Sequence, residues 1–233
     1  MDGDTTVEGN HYLSRAEEIL AILDTHAAAW KPILAAYYGI EFSNAITKET
    51  RAGLISLIPL IPYIGGDENP MTRHLLRSTT SLALYKAMKS RGKSAEETGK
   101  VIYEAVVDSV SRMQERSFEL SDDFIQKEKF LAQESQKRAY PGNWVWEFVE
   151  GNGVDFDYGY DFLECGTQKL YHAQGADEFL PYYCYLDFVT QHTTGWGFAR
   201  SMTLAEGFHK CDFRWKKSGI TRKGWPPPFL TGE

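Results

Sequence analysis

Cysteine is scarce in this chain, and its three copies, Cys165, Cys184 and Cys211, all fall in the C-terminal third. So few, and an odd number, exclude a disulfide framework, and they read as free thiols of a reducing, cytoplasmic compartment. No Cys-x-x-Cys pair occurs, which argues against a zinc knuckle, and no metal or other cofactor is expected. Cationic excess is lacking too, since 25 Lys and Arg stand against 32 Asp and Glu, a formal charge of -7. That balance repels nucleic-acid phosphates and anionic lipid, so neither nucleic acid nor membrane is an expected partner. The most apolar run, Leu54 to Ile64, holds two prolines and falls short of the roughly 20 residues a bilayer span needs. It reads as core or pocket. The start, Met1-Asp2-Gly3-Asp4, has neither the charge nor the apolar stretch of an export signal, and no internal repeat or low-complexity segment is visible.

What is present, 42% hydrophobic and 24% charged residues over 233 positions, supplies a core for one domain or two small ones. From His11 to Ala139 apolar residues recur at helical spacing, as in Leu13, Ala16, Leu20 and Leu23 and in Ile102, Val106, Val110 and Met113. A further helix is expected from Pro70, capped by Asn69, to about Ser90, with Gly92 ending it. After Pro141-Gly142 the period becomes two. Trp144, Trp146 and Phe148 alternate with Val145, Glu147 and Val149; Phe156, Tyr158, Tyr160 and Phe162 alternate with Asp157, Gly159 and Asp161, giving the second strand one wet face. Phe198 to Leu204 and Cys211 to Lys216 read as two more strands, joined by a loop in which Gly207 supplies the awkward φ. Gly166 to Gln174 and Asp177 to His192 read as helices between the two strand pairs.

The fold class is therefore α+β, an N-terminal helical layer packed on a C-terminal antiparallel sheet with two inserted helices. The expected division is a flexible N-terminus at 1–10, a helical half at 11–140, a mixed half at 141–216 forming one compact domain with it, and an extended Pro-rich tail at 217–233.

Cys184, Asp187 and Gln191 stand at i, i+3 and i+7, one helical stripe carrying a thiol, a carboxylate and an amide. Such a stripe suits a nucleophile with a proton acceptor beside it; a buried structural thiol with a solvent-facing acid has the same spacing. In Cys211-Asp212-Phe213-Arg214-Trp215, alternation sends the thiol and both rings to one face and Asp212 with Arg214 to the other, as an ion pair or as pocket lining. Arg200 sits among apolar neighbours and needs an anion, from protein or ligand. Cys165 closes a strand and opens a helix, where the dipole favours a thiolate; a small residue at a tight junction fits equally. Gly65 and Gly66, just ahead of Asn69, lead to a helix start that suits a carboxylate or phosphate, without the Lys of a phosphate loop or the strand of a dinucleotide fingerprint.

Tyr183-Cys184-Tyr185-Leu186-Asp187, Arg200-Ser201-Met202-Thr203-Leu204-Ala205-Glu206-Gly207 and Cys211-Asp212-Phe213-Arg214 together resemble the L-2-amino-thiazoline-4-carboxylic acid hydrolase family. Ile61-Pro62, Gly65-Gly66, Asn69, Met71-Thr72, Leu82-Ala83, Tyr85, Gly92, Ser94 and Glu96-Glu97 extend the likeness into the helical half, with Ser201 standing where a Thr is expected. The resemblance implies a metal-independent hydrolase of secondary metabolism that opens a C–N bond of a small cyclic amidine or thiazoline carboxylate. Carried over position by position, it implies that Cys184 or an activated water attacks with Asp187 taking the proton, and that Cys211 and Asp212 belong to the catalytic set; His209, the only histidine near the motif, stands on a hairpin loop that suits an acid or base near neutral pH and equally a solvent-facing side chain. It implies further that Arg200 or Arg214 clamps the substrate carboxylate, with Thr203, Gly65, Gly66 and Asn69 on the binding side.

Three other readings stand beside it. One keeps the fold and pocket as a non-hydrolytic cyclase, isomerase or dehydratase of natural-product biosynthesis, one is a binding module for a small apolar carboxylate, and one is a zinc enzyme or a structural partner protein. The partner in the first two is a small molecule, and the aromatic C-terminal half makes a homodimer unsurprising.

Overall fold

The computed structural model describes residues 11–113, 119–191, 195–222 and 224–231. Among the described residues the first half holds the helices α1 (Ala16–Tyr38), α2 (Ile40–Leu57), α3 (Thr72–Ser90), α4 (Ala95–Ser111) and α5 (Asp122–Ser135). Local chemistry sets their ends. Gly39, at φ 88°, separates α1 from α2. Gly92, at φ 76°, lets the Lys93 N–H turn back onto the Met88 carbonyl at 3.1 Å and closes α3. Ser94 and Glu97 cap each other's backbone to open α4. The expected cap of α3 is corrected: Asn69 lies outside the helix, its side chain accepting from Met71 N and donating to the Ile64 carbonyl, so the first helical residue is Thr72 and not Pro70.

Polar α3 lies in the core nonetheless. Ser78, Thr79, Thr80 and Ser81 are all buried, and the hydroxyls of Ser78, Thr79 and Thr80 donate to carbonyls one turn back. The buried stripe of α1 is Ile19, Leu23, Trp30 and Leu34, displaced from the expected one, with Leu13 exposed ahead of the helix and Met113 exposed beyond α4. By length and composition α1 could cross a bilayer, a property sequence reading assigned to no segment; here its buried stripe packs into the core with α2, α3 and α4.

In the second half, β1 (Val145–Glu150), β2 (Tyr158–Glu164), β3 (Trp196–Ala199) and β4 (Cys211–Lys217) form one antiparallel sheet in the order β1-β2-β4-β3. Cross-strand pairs Tyr158–Trp215, Tyr160–Phe213 and Phe162–Cys211 build one aromatic face. Phe124 and Glu128 of α5 cover it, the latter accepting from the Tyr160 hydroxyl at 2.8 Å. The opposite face of β2 is not wet as expected: Asp161 is buried beneath Lys210 and Arg214. β3 is also shorter than expected, because the Asp212 carboxylate captures the N–H groups of Ser201 and Met202 that would otherwise join the ladder.

Between the strand pairs lie α6 (Gly166–Ala173), α7 (Leu180–Tyr185) and α8 (Asp187–Thr190). The expected helix at Asp177–His192 is thus divided, opening as a 3-10 turn at Asp177–Phe179 and meeting Pro181 in the first turn of α7, while Leu186 keeps helical dihedrals between α7 and α8; His192 lies outside the described residues. Gly99 of α4 admits α7, for a Cβ there would meet Tyr182 Cβ at 2.6 Å. The tail folds back rather than running on extended. Trp225 packs against Tyr103, Tyr182 and Tyr185, the Tyr185 hydroxyl donates to Gly224 O at 2.8 Å, and Pro228 opens a last short helix, α9 (Pro228–Thr231).

Two substitutions test this packing. Gly53→Ala in α2, with nothing within 4 Å of the new methyl, raises stability by up to about 1 kcal/mol. Gly99→Ala gains the same propensity but forces overlap with Tyr182, a net loss of about 1–3 kcal/mol in chemical denaturation. Acid sensitivity follows from His26, whose Nδ1–H reaches the Thr80 hydroxyl at 2.7 Å and whose pKa burial lowers to about 4. A folded pKa below the unfolded value means that the unfolded chain binds the extra proton. Stability is therefore full above about pH 6.5 and falls toward pH 4, by up to about 3 kcal/mol. His26→Gln flattens that slope in pH-dependent melting.

Candidate active site

The C-terminal motif residues converge where α6, α7, α8, the exit of β3 and the start of β4 meet. Although α7 and α8 are separate, helical dihedrals through Leu186 keep Cys184 and Asp187 on one side. Asp187 Oδ2 accepts from Arg200 Nη1 at 2.7 Å, and Arg200 Nη2 donates to the Cys184 carbonyl at 3.1 Å. The Arg200 side chain is 5% exposed and its guanidinium lies 5.2 Å from the ring centres of both Phe188 and Phe213. Arg200 thus has a protein anion in place of the expected substrate carboxylate.

Cys165, Cys184 and Cys211 all come within reach of one another's charge. Burial raises every one of these thiols, Cys184 well above its ordinary value and Cys211 to about 12. Cys165 does cap α6, its sulfur accepting from Gln168 N at 3.5 Å, but burial outweighs the helix start and the expected thiolate is not favoured. Cys211 accepts from Leu204 N at 3.2 Å within the sheet's apolar face. All three are neutral at pH 7. Among the described residues no group of three or more His, Cys, Asp or Glu is arranged to hold a metal ion.

Asp187 is different. Burial raises its pKa, with Arg200 and then His74 pulling the other way, and a quarter of its side chain remains accessible. Its second oxygen, Oδ1, accepts no hydrogen bond among the described residues. Sequence reading missed a histidine that lies within reach of its charge. His74, from the first turn of α3, stands edge-on to Trp144 at 5.6 Å and to Tyr183 at 6.0 Å. Burial is the main force holding its pKa below the ordinary value, against the pull of Asp187. Neither the His74 ring nor the Tyr183 hydroxyl hydrogen-bonds to a described residue. A carboxylate with one oxygen unbonded, a phenol and a neutral imidazole thus lie within reach of one another's charge, the two rings 6.0 Å apart, and neither ring's polar atoms are spent on a described residue. The signal available in the sequence was Arg73-His74 directly after Met71-Thr72, two residues that carry the family likeness.

The remaining candidates lie elsewhere or are occupied. His209 is exposed on the loop before β4. Asp212 is a backbone staple for Ser201 and Met202, and Thr203 caps the turn at Leu204–Glu206, exchanging hydrogen bonds with Glu206. The expected Asp212–Arg214 pair does not form, because Arg214 bonds Asp161 at 2.8 Å. Gly65 and Gly66 close against Tyr140 and His11, while the Gly66 carbonyl accepts from Thr72, so the loop satisfies itself together with Asn69. Gln191 leaves the stripe to accept from Trp215 Nε1 at 3.1 Å. An open depression of about 520 Å³ between Leu120, Asp157, Trp196 and Lys217 shares no residue with the thiol cluster.

Residues 73–215 match the family model described as L-2-amino-thiazoline-4-carboxylic acid hydrolase, a span that contains His74, Cys165, Cys184, Asp187, Arg200 and Cys211. No curated protein and no solved structure matches.

The raised thiols predict slow chemistry. At pH 7 the folded protein reacts with iodoacetamide far more slowly than a free cysteine, and all three sites label once it is unfolded in guanidinium. Rapid labelling of Cys184 in the folded state, read by peptide mass, contradicts the neutral-thiol assignment.

Proposed function

The chain belongs to the L-2-amino-thiazoline-4-carboxylic acid hydrolase family, and on that premise we propose that it hydrolyses a C–N bond in a small cyclic amidine or thiazoline carboxylate, using Asp187 as the base. The observation that carries this reading is the Asp187 carboxylate, with one oxygen fixed by Arg200, the other accepting no hydrogen bond among the described residues, and a quarter of the side chain accessible.

Desolvation makes Asp187 a stronger base than an ordinary aspartate, and Arg200 aims it. Water gives a proton to Oδ1 while its oxygen bonds to the amidine carbon. The Asp187 carboxyl passes that proton to the ring nitrogen as its C=N bond becomes single; the carboxylate then takes the proton of the new hydroxyl as the tetrahedral adduct collapses to a carbonyl, and gives it to the same nitrogen as the ring C–N bond breaks and the amine departs. Substrate plus water becomes an opened amino acid, and the enzyme ends as it began. Neutral His74 and the Tyr183 hydroxyl, whose pKa burial raises, are available to hold the amidine nitrogens and the developing oxygen. Attack by Cys184 fits less well, because burial holds its thiol well above the ordinary value despite the pull of Arg200. Cys184 instead walls the site.

Incubation with L-2-aminothiazoline-4-carboxylate gives a product heavier by one water in mass spectrometry; a product of unchanged mass indicates the cyclase or isomerase alternative. Asp187→Asn lowers kcat by about 10²- to 10⁴-fold, whereas Cys184→Ala stays within about 10-fold of the parent. The acid limb of kcat/KM lies above the ordinary carboxylate value of about 3.9, since Asp187 must be ionised and its pKa is raised.

A further inference from the structure

Two arginines of α3 stand apart in their pairing. Arg15, Arg51, Arg91, Arg112 and Arg138 each reach a carboxylate, and Arg200 and Arg214 do so inside the fold. Arg73 and Arg77 pair with none among the described residues, in a chain carrying a net charge of -7. Their i, i+4 spacing sets like charges on one helix face, an arrangement that costs helix stability unless an anion joins it. Arg77 is partly desolvated, and Arg73 adds repulsion to the same head group.

The position of the pair ties it to the site. His74 lies three residues before Arg77 on the same helix and feels its charge, as does Tyr183. His74 in turn contacts Tyr183 at 6.0 Å and lies within charge reach of Asp187. The two guanidiniums that sequence reading offered to a substrate carboxylate, Arg200 and Arg214, have their forks filled by Asp187 and Asp161.

We propose that Arg77, with Arg73 beside it, holds the carboxylate of a small heterocyclic acid at the His74–Tyr183 edge of the Asp187 site, an assignment that deepens and rests on the hydrolytic reading above. A guanidinium fork suits a planar carboxylate, and an anion there relieves the Arg73–Arg77 repulsion. The ring attached to that carboxylate then extends over His74 and Tyr183 toward the free oxygen of Asp187.

Calorimetric titration of the full chain with thiazole-4-carboxylate and with thiazole, which lacks the acid, tests it. The parent binds the acid and not thiazole. Arg77→Gln weakens the acid by about 10- to 100-fold, the loss of one or two charge-assisted hydrogen bonds. Lys48→Gln, which removes an exposed cation of α2 that is also in no ion pair among the described residues, leaves binding unchanged. Melting temperatures equal to the parent's show that both variants are folded. Carboxylate-dependent binding that survives Arg77→Gln, or that Lys48→Gln weakens equally, overturns the anchor, as does the absence of such binding in the parent. Binding that depends on Arg77 without turnover of L-2-aminothiazoline-4-carboxylate instead overturns the hydrolytic reading and leaves the anchor standing.

Discussion

The ion pair between Arg200 and Asp187 is the constraint on which the rest of this structure depends. It joins the point where the chain leaves β3 to the start of α8, and the second Arg200 nitrogen fixes the last turn of α7 through the Cys184 carbonyl. Burying such a pair gains little over an apolar contact, because desolvating both ions offsets most of their attraction. Its worth is in direction. Two aromatic rings flank the guanidinium, and the carboxylate is left with one oxygen committed and one open. Removing either partner strands a charge in the core, which costs far more than the pair contributes.

The sheet is arranged to deliver Arg200 to that point. Asp161 and Asp212 face each other across β2 and β4, a register that like charges oppose. Each is neutralised separately, Asp161 by Lys210 and Arg214, Asp212 by the Ser201 and Met202 backbone. The second of these solutions also ends β3 and turns the chain so that Arg200 points under the sheet toward α7 and α8. A carboxylate that looks catalytic in a motif thus acts by shaping the backbone beside the site.

Features written in local pattern were legible from the sequence. Period-two aromatics gave the sheet and its buried face, helical spacing gave the layer, and the i, i+3 relation of Cys184 and Asp187 survived the division of their helix. Features that depend on which distant group arrives were not. Alternation correctly put Asp212 and Arg214 on one face, yet Arg214 found Asp161 instead, a choice set by strand order. His74 escaped notice because its neighbours in sequence are helical core, whereas its neighbours in space are Trp144, Tyr183 and Asp187. The thiols show the same limit: a helix start at Cys165 is visible in sequence, but the burial that overrides it is not.

The returning tail carries a consequence for the order of assembly. Trp225 and Gly224 clamp α4 and α7 from outside, through Tyr103, Tyr182 and Tyr185. During synthesis the helical layer emerges first and can collapse on its own apolar face, but the element bearing Cys184 stays unclamped until Gly224 and Trp225 have left the ribosome. The half that carries the candidate site is therefore set after the helical layer. A nascent or truncated chain would hold a formed helical layer around an unfinished site.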